Sequence, residues 1–109
     1  MTLVIWCAFV AAATLEVAGD ALIRKGLRGS GWAMIAAGCV TLAFYGLMVN
    51  TVKWDFSKLL GVYVAFFATV SVLCGTLVFK ETVPSSTWVG LALIIAGGLV
   101  IQFGPNWAQ

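Results

Sequence analysis

The sequence has no histidine and few charged residues, since Asp, Glu, Lys and Arg together make up 9% of its 109 positions. A soluble domain carries about 25% charged residues, so six basic and four acidic side chains are too few to cover one of this length. The net charge of +2, without basic clusters, gives no electrostatic footprint for nucleic acid. With 62% hydrophobic residues and a mean hydropathy of +1.08, the chain is predicted to lie in a lipid bilayer.

Groups that perform catalysis or bind metals are also scarce. Cys7, Cys39 and Cys74 stand singly in apolar runs, so the chain has neither zinc-ligand spacing nor a CxxC redox motif. The serines have no histidine partner, and no glycine-rich phosphate-binding motif is present. We therefore expect no enzyme activity, no metal and no cofactor, and we interpret the cysteines as small core hydrophobes.

Four apolar segments account for nearly the whole chain, and each approaches the roughly 20 residues that cross the hydrocarbon of a bilayer. They cover residues 2–23, 32–52, 59–79 and 87–103. Period-two alternation is absent, so we predict an all-α fold in which one domain, 1–109, consists of four transmembrane helices. Tryptophans lie near the segment ends, where interfacial anchors are common: these are Trp32, Trp54, Trp88 and Trp107.

A cleaved signal peptide is the alternative for the first segment. Its basic residues follow the apolar run, Glu16 and Asp20 lie within the run, and no small-residue cleavage pattern follows Arg24, which argues against a signal peptide. We therefore predict a multi-pass protein of a bacterial-type inner membrane.

The charge difference between the two membrane sides is modest. The first and third connections carry Arg24, Lys25, Arg28 and Lys80, and the second carries Lys53 and Lys58. The positive-inside rule favours both termini outside the cytoplasm, but the small margin leaves insertion in both orientations open. Because four short helices fill their own centre with side chains, we expect an oligomer, with a dual-topology pair as one form of it.

The fourth segment predicts where two subunits meet. Gly90, Ile94 and Gly97 share one helical face, on which two backbones could approach closely. The alternative is that these glycines pack within one chain.

Glu16 is the most informative residue in the sequence. Counted from Leu3, it lies about 20 Å into the hydrocarbon at 1.5 Å per residue. A carboxylate at this depth costs about 2.5–3.5 kcal/mol on insertion scales and marks a functional site by default. Because desolvation disfavours its charged form, we predict that Glu16 exchanges a proton for a cation near neutral pH. The alternative is a permanently protonated Glu16 bonded to neighbouring backbone.

Small residues flank Glu16 at helical spacing and leave room for a ligand or a second subunit: these are Ala12, Ala13 and Gly19. Asp20 lies one turn nearer the first connection and has an i,i+4 relation to both Glu16 and Arg24. We favour an Asp20–Arg24 pair, and the alternative is a proton or a divalent ligand shared by Glu16 and Asp20.

The third segment places aromatic side chains on one face. Tyr63, Phe66 and Phe67 could wall an apolar pocket or present a ring to an organic cation, and plain packing is the alternative. Other polar side chains in the segments are expected to hydrogen-bond from helix to helix: these are Tyr45, Asn50 and Ser71.

In these features the chain resembles the small multidrug resistance transporters, within the drug/metabolite transporter superfamily, and the resemblance implies an EamA-like protein. The resemblance covers almost the whole chain and rests on the four helices and on three runs. The runs are Leu15-Glu16-Val17-Ala18-Gly19, Phe79-Lys80-Glu81 and Gly90-Leu91-Ala92-Leu93-Ile94-Ile95-Ala96-Gly97. The resemblance implies an antiparallel homodimer in which the fourth helices make the dimer contact. It also implies that the two Glu16 carboxylates form one site, for which protons and cationic substrates compete.

Carried over by position, Glu16 matches the essential carboxylate of that family. The small residues matching those beside it are Ala12 and Gly19, and those matching the dimer motif are Gly90 and Gly97. Two departures bear on the substrate. Asp20 replaces the usual Thr or Ser, and residues 61–67 read Gly-Val-Tyr-Val-Ala-Phe-Phe where the family has Gly-Ile-Ala-Tyr-Ala followed by Trp. Either Tyr63 or Phe67 is then the residue at the usual aromatic position.

The resulting expectation is a proton-coupled antiporter that exports small cationic or polyaromatic-cation compounds. Two alternatives stay open: a flippase of a lipid or lipid-linked sugar, which soluble cations would not engage, and an accessory subunit that needs a paralogous partner.

Overall fold

A computed structural model describes residues 3–106. The helices are α1 (Leu3–Lys25), α2 (Trp32–Val49), α3 (Phe56–Leu77) and α4 (Ser85–Phe103), and a 3₁₀ turn follows at Gly104–Asn106. All four helices are long and apolar enough to cross a membrane, which confirms the predicted all-α fold. The predicted first residue of the first span, Thr2, and the predicted anchor Trp107 lie outside the described residues.

The second helix ends three residues earlier than predicted, because polar side chains bind its last carbonyls. The Asn50 Nδ2 donates to the Gly46 carbonyl at 2.8 Å, and the Thr51 hydroxyl donates to the Met48 carbonyl at 2.7 Å. Such local bonds offer the backbone an alternative to further helix. The apolar Val52 extends the hydrophobic run past this point, so the run overestimates the helix.

The third helix begins three residues earlier than predicted. Leu59 N–H donates to the Asp55 carbonyl at 2.8 Å and closes a first turn that includes the charged Lys58. The Lys58 Nζ lies 4.3 Å from the centroid of the Trp54 ring, a cation–π contact that holds the charge at the helix start.

The chain forms two compact units, Met1–Lys53 and Trp54–Gln109. The first is a hairpin of α1 and α2, whose connection needs glycine because Gly29 (φ 130°) and Gly31 (φ 91°) adopt left-handed backbone conformations that side chains disfavour. The predicted single four-helix domain stays a prediction.

Within the first unit the two helix backbones approach closely at Gly19 and Gly38. A Cβ atom at Gly38 would lie 2.6 Å from the Gly19 carbonyl oxygen and 2.9 Å from the Ile23 nitrogen. Both neighbours are backbone atoms, which cannot move aside as a flexible side chain can. The α1–α2 hairpin therefore depends on small residues where its helices cross.

The second unit pairs α3 with α4 in the same manner. A Cβ atom at Gly98 would lie 3.1 Å from the Ala65 Cβ, and one at Gly61 would lie 2.7 Å from the Ile101 Cδ1. Gly98 therefore brings α4 against α3, a role that the sequence did not single out.

Large apolar side chains cover the outside of all four helices. Trp32 at the start of α2 is 84% exposed, and Trp88 in the first turn of α4 is 43% exposed, as interfacial anchors require. Cys7 and Cys39 are also exposed, so their interpretation as core residues is wrong. The physical reason is that a lipid-facing surface accepts the same apolar side chains as a core.

Hydroxyl groups inside the spans bond to carbonyls of their own helix. The donors are Thr14, Thr41, Thr69, Ser71 and Thr76, and each bonds a carbonyl three or four residues earlier. The predicted helix-to-helix bonding is therefore wrong for Ser71, and likewise for Asn50 with its bond to Gly46. In hydrocarbon the nearest carbonyl of the same helix is always within reach of a short side chain.

Candidate functional site

Glu16 lies in the middle of α1, about 20 Å from the helix start at 1.5 Å per residue, and is half-buried. Ala12, Ala13 and Gly19 are all buried. A Cβ atom at Gly19 would lie 2.8 Å from the Leu42 Cγ, so α2 of the same chain fills the space that the sequence suggested beside Gly19. A direct role for Gly19 in binding stays a prediction, whereas its packing role is visible.

The register of the hairpin places a specific α2 residue beside Glu16. Three close contacts define the register: Gly26 with Ile35, Ile23 with Gly38, and Gly19 with Leu42. Each step of three or four towards the start of α1 is matched by an equal step towards the end of α2. The next step of three aligns Glu16 with Tyr45. One more step of four aligns Ala12 with Val49, and Ala12 and Val49 are both buried.

Electrostatics agree with this register. The Tyr45 hydroxyl lies within electrostatic range of the Glu16 carboxylate and of the Asp20 carboxylate. Two acidic groups one turn apart on α1 and a phenol on α2 thus form one polar cluster, which we call the Glu16 cluster. A hydrogen bond from Tyr45 to the other helix stays a prediction.

Sequence reasoning did not include Tyr45 among the site residues. A usable signal was present, because Gly19 and Gly38 are spaced so that two helices joined by a short turn can cross there. Beyond that crossing, antiparallel packing brings the turn of α1 that carries Glu16 alongside the α2 residues that follow Gly38, among them Tyr45.

Asp20 is exposed, as is Arg24. Within residues 3–106 no salt bridge joins Asp20 to Arg24, so the favoured pairing is not formed. An exposed pair gains little from holding two side chains in one geometry. The Asp20 carboxylate instead contributes to the field at Tyr45.

Tyr63 and Phe67 belong to the second unit. Tyr63 is 3% exposed and Phe67 is half-buried, with Leu59 and Val62 also buried on α3. These positions fit core packing, and contact of Tyr63 or Phe67 with a ligand stays a prediction.

The predicted dimer face on α4 is open within the chain. A Cβ atom at Gly90 or Gly97 would meet nothing within 4 Å among the described residues, and Ile94 is 40% exposed. Packing within one chain, the alternative for these glycines, applies to Gly98 and to neither Gly90 nor Gly97.

A groove of about 210 Å³ lies at the α3–α4 connection and is lined in part by Ser71, Glu81 and Thr87. Lys80 has φ 57°, which turns the chain back so that Glu81 N–H donates to the Gly75 carbonyl at 2.9 Å. The Glu81 side chain then covers Gly75. The groove is open, and Glu81 is exposed.

Four membrane-length helices with outward apolar surfaces and one acidic cluster inside a span define a multi-pass bacterial membrane protein. Comparison with known proteins agrees. The chain is 32% identical over 109 residues to a UPF0060 membrane protein of Ectopseudomonas mendocina, with 97% of this chain and 96% of the relative covered.

Other relatives carry the same name. The chain is 33% identical to a UPF0060 membrane protein of Streptomyces avermitilis, covering 90% of this chain and 89% of the relative. It is 29% identical to the UPF0060 membrane protein YfjF of Bacillus subtilis, covering 97% of this chain and 99% of the relative. The chain belongs to the UPF0060 membrane protein family.

No protein-family model matches the chain. No solved structure matches it either. The names of the relatives state a membrane protein and give no substrate.

Proposed function

We propose that the protein is a proton-coupled antiporter of the small multidrug resistance type, which exports small organic cations across the inner membrane. The observation that carries this proposal is the half-buried Glu16 carboxylate in the middle of a spanning helix, clustered with Tyr45 and Asp20. An acidic group at this depth is expensive and is found where it faces a partner or a cavity. No group in the cluster is positively charged, so a cation or a proton is the natural counter-charge.

The mechanism follows from one carboxylate serving two ligands. A protonated Glu16 has no charge with which to hold a cation, and an ionised Glu16 binds the cation in place of the proton. Each change of access therefore carries one ligand or the other, so a proton gradient can drive export of the cation. Alternation between outward-facing and inward-facing states is the usual behaviour of such transporters.

We further propose a homodimer, antiparallel as the family resemblance implies, in which the Glu16 clusters of two subunits share one site. No described atom would lie within 4 Å of a Cβ at Gly90 or Gly97 on α4, which supports this contact, since small residues let two helices approach closely in a bilayer.

The test is proton flux and charge movement in liposomes that contain the purified protein. Cations from methylammonium to tetraphenylphosphonium are added in turn, and proton release is followed with a pH-sensitive dye. Cation-dependent proton movement supports the proposal. Its absence from folded, dimeric protein would favour a flippase or a subunit that needs a paralogous partner, and lipid-linked substrates and a second chain would be tested next.

The dimer contact can be tested on α4 alone. We expect Gly97→Leu to weaken dimerisation about tenfold or more, because the bulky side chain separates the two helices. The fold of each chain should survive, since no described atom lies within 4 Å of the added Cβ. The monomer fraction is measured by dilution into detergent or lipid.

Ala92→Leu is the matched control. Ala92 is exposed on α4 and lies on the side opposite Gly90 and Gly97 at 100° per residue. Equal dimerisation of Gly97→Leu and the wild type would contradict the proposed contact.

Asp20 is tested by two variants with different shapes. We expect Asp20→Asn and Asp20→Ala to weaken cation binding by a similar factor, about two- to fivefold, because both remove one charge from the Glu16 cluster. Binding is measured by isothermal titration at fixed pH. If both variants bind cations and protons like the wild type, Asp20 has a structural role only.

A further inference from the structure

We infer that Tyr45 is the positioning residue of Glu16: its hydroxyl, held on α2, orients the Glu16 carboxylate for cation binding. This inference rests on the proposed function and adds a residue that the sequence did not assign to the site. It gives the α2 residue of the Glu16 cluster a specific role towards a carboxylate of α1.

The first support is geometric. The close contacts of Gly26 with Ile35, Ile23 with Gly38 and Gly19 with Leu42 share one antiparallel register, and continuing that register by three residues aligns Glu16 with Tyr45. Ala12 and Val49 on the following turn are almost fully buried, so the two helices remain side by side past the cluster. Tyr45 is therefore held next to Glu16 by packing on both sides.

The second support is chemical. The Tyr45 hydroxyl lies within electrostatic range of Glu16 and Asp20, and it is the titratable oxygen of α2, which carries no charged residue. A phenol can donate to a carboxylate and also accept from a ligand. A tyrosine ring is long enough to carry its hydroxyl towards a neighbouring helix, whereas a short serine or threonine bonded to its own helix is not.

The orientation of Glu16 is tested directly by nuclear magnetic resonance. The chain has two glutamates, Glu16 and Glu81, so ¹³C-labelled glutamate gives two carboxyl signals, which the Glu81→Gln variant assigns. At one fixed pH, Tyr45→Phe is expected to move the Glu16 signal and to leave the Glu81 signal in place. This readout needs no transported substrate, so it separates failure of the inference from failure of the antiporter proposal.

Thr41→Val is the matched control. It also removes one hydroxyl from α2, one turn from Tyr45, but the Thr41 hydroxyl donates to the Ala37 carbonyl of its own helix at 2.8 Å. Neither glutamate signal should move in this variant. A Glu16 signal that stays unchanged in Tyr45→Phe, or that moves equally in Thr41→Val, overturns the inference.

The functional consequence is measured by binding of tetraphenylphosphonium and methylammonium to the purified dimer. Tyr45→Phe should weaken binding of whichever probe the wild type binds by about five- to tenfold, the worth of one hydrogen bond to a charged group. Thr41→Val should bind like the wild type. A moved Glu16 signal with unchanged affinity would contradict a positioning role, and if neither probe binds the wild type, the carboxyl signal alone decides.

Discussion

Replacing Glu16 with glutamine is expected to abolish cation-coupled proton movement, reducing it to the level of protein-free liposomes. The substitution keeps the size of the side chain and removes the group that is proposed to alternate between a proton and a cation. Because a neutral amide in a span costs less than a carboxylate, the variant should remain folded and dimeric. The measurement is dye-reported proton release on addition of each cation in the panel.

Glu81→Gln is the matched control for this experiment. It removes the same charge from the other glutamate of the chain, which is exposed at the α3–α4 connection. We expect this variant to keep coupled exchange. Coupled exchange that persists in Glu16→Gln would contradict the mechanism, and a loss shared equally by both variants would indicate a requirement for net charge in place of a specific site.

Replacing Gly38 with alanine is expected to destabilise the α1–α2 hairpin by about 3 kcal/mol, the upper range for forcing an extra carbon into a packed site. The new Cβ would lie 2.6 Å from the Gly19 carbonyl oxygen and 2.9 Å from the Ile23 nitrogen, so the two backbones must separate. The free energy of unfolding is measured by denaturant titration in detergent, with helix content as the signal.

Gly46→Ala provides the comparison on the same helix. A Cβ at Gly46 would meet nothing within 4 Å among the described residues, so this variant should be neutral or gain up to about 1 kcal/mol from the lower backbone entropy of alanine. Equal stability of the Gly38→Ala and Gly46→Ala variants would show that the close crossing of α1 and α2 is not formed. Because the crossing sets the register of the Glu16 cluster, Gly38→Ala should also weaken cation binding.

The helices were predictable because the signal for a spanning helix is local. An apolar run of sufficient length ended by polar residues predicts one helix without reference to its neighbours. The errors of three residues occurred where an apolar residue follows the helix, as at Val52, or where a charged residue lies inside its first turn, as at Lys58. In both places the backbone followed hydrogen bonds that composition does not report.

Burial was less predictable than helix position. In a soluble protein an apolar residue is usually buried, but lipid solvates apolar side chains as well as a core does. Cys7 and Cys39 are therefore exposed although their surroundings in the sequence are as apolar as those of the buried Phe9. Small residues were the better guide, since Gly19 and Gly38 lie where helices touch.

The amino-acid sequence alone determined the membrane class and the four helices, and it predicted a site at Glu16, because hydrophobic length and the cost of a carboxylate in hydrocarbon depend on one segment at a time. Which residues of neighbouring helices pack together could be determined only from the folded chain. Gly90 and Gly97 stay open whereas the adjacent Gly98 packs on α3, and the register of the α1–α2 hairpin aligns Glu16 with Tyr45. These outcomes depend on the rotation and register with which two helices pack, and a single residue's shift along either helix would change every contact between them.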